Sequence, residues 1–114
     1  MKSNMDEAIS AYRQAMMDFI GPIQTIRVIK DNEFEKLHAA AVMLMRAFKG
    51  KDCIPKDVLA DLYMTYGVLR AEAPYFGENR EKLEEMAGKI QTCFGLILGN
   101  EVPEDRQPGI PRIF

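Results

Sequence analysis

Apolar residues recur along this chain at steps of three and four, and prolines and glycines cut the resulting rows into helix-length segments. That period is the tightest constraint on the fold. A row repeating every 3.6 residues puts one face of a helix against a core, whereas a strand face needs a period of two. Met5, Ala8, Ile9, Tyr12, Met16, Phe19 and Ile20 form the first row, with Asn4 and Glu7 placed as a capping box at its start. Gly21-Pro22 is predicted to stop this helix, because proline donates no hydrogen bond and disfavours helical geometry in the residue before it.

The stretch Ile23–Lys30 reads two ways. Its β-branched residues suit a strand, but no second strand-like run is present to pair with it. Pro22 at the first position of a helix, followed by Ile23, Ile26 and Ile29, predicts a second helix that Asp31-Asn32 either bends or breaks. Asn32 and Glu35 are spaced as a further capping box. Phe34, Leu37, Ala41, Leu44, Met45 and Phe48 then form a firm row. The uncharged run Ala39–Met45 predicts a helix buried on all sides, the central element of the fold. Gly50 between two lysines ends it.

Pro55 opens a third helix whose core row is Val58, Leu59, Leu62, Tyr63, Tyr66 and Leu69, and Pro74 closes it. A fourth helix, from about Glu78 to Leu98, buries Leu83, Met86, Ala87, Ile90, Phe94 and Ile97. Gly88 and Gly95 on it each cost about 1 kcal/mol against alanine, which predicts a close approach by a neighbouring helix. Gly99-Asn100 ends it, and Pro103, Pro108 and Pro111 keep the remainder extended. The predicted fold is all-α: an antiparallel bundle of four main helices over residues 1–100, with a Pro-rich C-terminal tail, 101–114, packed on it.

Composition narrows the function class. A chain of 114 residues, 47% hydrophobic and 28% charged, fits one ordinary globular domain. No stretch reaches the roughly 20 apolar residues of a membrane span, and a net charge of -2 argues against a nucleic-acid grip. Acidic residues follow the first lysine at once, which predicts a cytoplasmic protein without a secretory leader. Cys53 and Cys93 form neither a CxxC pair nor a zinc set, so free thiols are expected in a reducing compartment. The eight methionines fall mostly on or near the apolar rows and are expected to fill gaps in the core.

Motifs that carry chemistry are scarce. Glu35 and His38 have the Glu-x-x-His spacing of di-iron bundle proteins, but one histidine completes such a site only in a symmetric dimer. The alternative places His38 at the border of the buried face, bonded to a neighbour. No nucleophile elbow, phosphate loop or HExxH is present, so neither an enzyme nor a cofactor is expected. Charge is uneven instead: residues 1–50 carry 7 basic and 6 acidic groups, and residues 51–114 carry 8 and 11. Acids mixed with aromatics suit the grip of a basic protein partner, since complementary charge speeds encounter and aromatic anchors hold it. The candidate contact residues are Asp57, Asp61, Tyr75, Phe76, Glu78, Glu81 and Glu85, with Asp105 and Arg106 of the tail. Tyr63 and Tyr66 are expected in the core with only their hydroxyls wet. Glu78–Lys82 and Glu85–Lys89 are spaced as i,i+4 ion pairs on an exposed face.

The tail reads Asp105, Arg106, Gln107, Pro108, Gly109, Ile110, Pro111, Arg112, Ile113 and Phe114. The pattern Asp-Arg-x-Pro-Gly-x-Pro-Arg-Ile resembles the C-terminal tail of several small bacterial families regarded as immunity-like proteins of polymorphic or contact-dependent toxin systems. The resemblance implies a small cytoplasmic protein that neutralises a cognate toxin by binding and not by catalysis; separately from it, the chain is expected as a monomer or a homodimer. Independently of it, Ile110, Ile113 and Phe114 are expected to anchor the tail on the bundle, with Arg106 or Arg112 pairing with helix carboxylates.

Overall fold

The computed structural model describes residues 4–105. Residues 106–114 lie outside the described residues, and with them the expected anchoring of Ile110, Ile113 and Phe114 and the pairing of Arg106 and Arg112. Among the described residues are four α-helices and no strand: α1 (Asn4–Ile26), α2 (Asp31–Phe48), α3 (Lys56–Glu72) and α4 (Arg80–Leu98). Two short 3-10 turns, Ala73–Asn79 and Pro103–Asp105, are the other helical elements among the described residues. The all-α expectation holds.

The first boundary differs from the sequence reading. Gly21-Pro22 does not stop α1; Pro22 sits inside it and the helix runs on to Ile26. Ile23 in that extra turn is fully excluded from solvent. Its burial recovers part of what the missing proline hydrogen bond costs, and Thr25 Oγ1 donates to the Gly21 carbonyl at 2.8 Å. The chain then turns out through Arg27 at φ 53, and the Val28 N–H donates back to the Pro22 carbonyl. Ile23–Lys30 is therefore neither a strand nor part of the second helix. Its first four residues finish α1 and the rest connect it to α2, which starts at Asp31. No side chain caps α2 at Lys30, so the Asn32–Glu35 box does not form. Pro22→Ala should restore one backbone bond and relieve the ring's crowding, offset by a looser unfolded chain. The expected net gain is about 1–2 kcal/mol, read as a higher midpoint in urea.

Helix α1 packs on α2 and α3, and α4 packs on α3 and α2. The short connection between α1 and α2 makes them an antiparallel hairpin, and α3 and α4 form another across the 3-10 turn. The hairpins meet in the opposite sense. Tyr12 meets Thr65, Arg13 meets Asp57 and Asp61, and Arg27 reaches Glu72, so α1 and α3 run parallel. Lys82 bonds Asp31, Lys89 lies over the Phe34 ring, and Asn100 accepts from Gly50, so α2 and α4 run parallel too. An antiparallel bundle is thus correct within each hairpin and not between them.

The core lies between the hairpins, with Phe19, Leu37, Leu62, Leu69, Leu83 and Ile90 wholly excluded from water. Phe19 meets Phe34 at a 5.2 Å ring separation, tilted 56°. Two expectations about the helix faces are corrected. Helix α2 is not buried all round, because Ala39 is exposed and Met43 is 52% exposed. Gly88 and Gly95 admit no close neighbour either: a methyl group built on each would meet nothing within 4 Å. Helix α4 ends in a Schellman motif with Asn100, not Gly99, in the left-handed position at φ 59. The Asn100 side chain accepts from the Gly50 N–H, which ties the ends of α2 and α4 together.

Candidate partner-binding surface

Asp57 and Asp61 lie one turn apart on the α1 side of α3, where a single guanidinium joins them. Arg13 donates from Nη2 to Asp57 at 2.6 Å and from Nε to Asp61 at 2.7 Å. These hydrogen bonds hold the Asp57 carboxyl below its ordinary range. The two acids are therefore already partnered within the bundle, and their charge toward a ligand is partly cancelled. Because Asp57 remains well exposed, the pair contributes little to stability. Arg13 was not legible as a site residue, since its role depends on a helix more than forty positions away.

The aromatic loop divides as its two residues differ in burial. Phe76 is half-buried against the core, while Tyr75 is 70% exposed beneath the Arg27 guanidinium, 5.2 Å from its ring centre. Arg27 in turn lies 3.7 Å from Glu72. Gly77, at φ 56, turns the chain between this loop and α4, a conformation that favours glycine. Tyr63 corrects the sequence reading: it is 68% exposed and not a core residue, whereas Tyr66 is half-buried against the core as expected. An alternation of core and polar positions does not distinguish a tyrosine at the edge of a face from one inside it.

Glu78, in the 3-10 turn before α4, and Glu81 and Glu85 on α4 itself are all exposed. The i,i+4 lysines do not pair with them. Lys82 turns to Asp31 of α2, and Lys89 lies over the Phe34 ring of the same helix. Both lysines are recruited across the α2–α4 seam, leaving this part of α4 more acidic than its sequence suggests.

Asp105 is structural on the side described. Its carboxylate takes the Lys49 ammonium at 2.6 Å and the Val102 N–H at 3.0 Å, while Glu104 forms a forked pair with Arg46. Lys49 and the Val102 N–H hold Asp105 below the usual carboxylate range, and Arg46 does the same for Glu104. These bonds fix the chain on the last turn of α2; Arg106 lies outside the described residues.

His38 is half-buried and stacked near-parallel on Phe34, with centroids 6.2 Å apart. Burial, and then the neighbouring Lys89 charge, press its pKa down. A fixed ammonium beside His38 disfavours a metal cation there, and Glu35 is exposed on the same helix. No group of three or more His, Cys, Asp or Glu side chains placed to hold a metal occurs among the described residues.

Both cysteines are free. Cys53 is exposed, while Cys93 is buried and its thiol is pushed up to about 11 by burial. A thiol reagent at neutral pH should therefore modify Cys53 quickly and Cys93 only after unfolding. Two equally fast thiols in the folded protein would contradict this packing.

No helix among the described residues is long and apolar enough to cross a membrane. Family models, curated proteins and solved structures offer no match to the chain.

Proposed function

We propose that this protein is a small binding module, an immunity-type inhibitor that neutralises a cognate bacterial toxin domain by covering a basic surface on it. The observation that carries the reading is the pairing of an exposed aromatic anchor, Tyr75, with the unneutralised glutamates Glu78, Glu81 and Glu85 that follow it in sequence. Steering by the acids brings a basic partner in, and burial of Tyr75 then supplies the holding contact. The resemblance of the tail to immunity-like families supports a toxin as the partner.

The test is co-expression with the toxin-domain product of the adjacent gene. A stable complex is expected, and Tyr75→Ala should raise its Kd by about 10- to 100-fold. Glu81→Lys with Glu85→Lys should mainly slow association and weaken its dependence on salt. Absence of any toxin domain beside this gene, or a complex indifferent to all three substitutions, counts against the proposal.

A further inference from the structure

The outer side of the α1–α2 hairpin carries an open groove of about 390 Å³ whose two walls differ in character. The α1 wall is acidic, formed by Ala11, Gln14, Ala15 and Asp18. The α2 wall also carries two alanines, Ala39 and Ala40, but is basic through Lys36 and bears one long apolar side chain, Met43, which is 52% exposed. Counting back from the hairpin turn at 1.5 Å per residue, Asp18 and Lys36 lie toward one end of the groove and Ala11 and Met43 toward the other.

We infer that this groove is the interface of a symmetric homodimer in which each α1 wall faces the α2 wall of a second copy. A two-fold axis along the groove performs that exchange while keeping each end of the groove against the same end of its mate. It brings Lys36 of each copy to Asp18 of the other. It also lays each Met43 against the alanine floor formed by Ala11 and Ala15, a flexible side chain entering a space that small residues leave open. Within one chain these charges are weakly engaged: Asp18 accepts only from Gln14 in its own helix, and Lys36 stands 3.6 Å from Glu33. The two walls are thus complementary to each other and neither is complementary to itself, which selects a second copy as the occupant. The opposite side of the bundle, α3 and α4, stays free in both copies.

Sedimentation or light-scattering mass over a concentration series tests this on the full chain. The expected mass at high concentration is twice the 13.0 kDa of one chain. Met43→Glu should raise the dimer dissociation constant by at least about 100-fold by placing a charge in the apolar groove, with helical circular dichroism unchanged because the site is half in solvent. Asp18→Lys or Lys36→Glu alone should weaken the dimer by about tenfold, and the two together should restore it. A single-chain mass at about 1 mM overturns the inference, since even a weak specific dimer forms there. So does a dimer that ignores Met43→Glu, or a double charge reversal that stays as weak as either single one.

Discussion

Phe19→Ala should cost about 3–5 kcal/mol of folding free energy, the largest effect expected of any single truncation here. Phe19 is wholly excluded from solvent and touches Phe34 across the α1–α2 seam. Removing its ring deletes apolar burial and leaves a void that two helices can close only partly, because each is also packed on a further helix, α1 on α3 and α2 on α4. Urea denaturation of the variant beside Met17→Ala measures this. Met17 is 67% exposed, and its loss should stay within about 0.5 kcal/mol. Equal effects at the two positions would mean that α1 presents a different face to the core.

A second large effect turns on one buried hydroxyl pair. Thr65, the one polar residue fully buried among the described residues, donates its proton to the Asp61 carbonyl at 2.8 Å. It has no second proton, so the 2.7 Å bond to Tyr12 must be donated by the tyrosine. The direction predicts an asymmetry. Thr65→Val strands the Tyr12 hydroxyl in an apolar site and should cost about 2–3 kcal/mol. Tyr12→Phe leaves Thr65 still bonded to Asp61 and should cost about 1 kcal/mol. The reverse order in chemical denaturation would refute this assignment. Burial already raises the Tyr12 pKa well above its ordinary 10.0, so the phenol stays neutral and able to donate throughout the usual range.

How much was legible depends on the range of the interaction concerned. The core rows of all four helices were readable, because helical periodicity is local and Leu37, Leu62, Leu83 and Ile90 fall where it places them. Gly50 was readable as a left-handed stop for the same reason, and it takes φ 83. Pro22 misled because its local cost is offset by Ile23, whose burial against other helices is not local. Gly88 and Gly95 misled because glycine marks freedom of the backbone without saying whether a neighbour uses it. In the candidate surface, the exposure of Tyr75 and of the α4 glutamates followed from their loop and polar-face positions. The pairing of Asp57 and Asp61 with Arg13, and the recruitment of Lys82 and Lys89 away from those glutamates, did not.

By itself, then, the sequence determined an all-α chain: the core rows of its four helices, though not the boundary between the first two, and that acids outnumber bases in its second half. Only the tertiary structure decided that the two hairpins meet with α1 parallel to α3 and α2 parallel to α4, and therefore which charges cancel and which stay free. The physical reason is that apolar burial is non-directional and satisfied by several mutual arrangements of the same helices. Rotation and register are chosen by contacts between residues far apart in the chain, such as Tyr12 with Thr65 and Asn100 with Gly50.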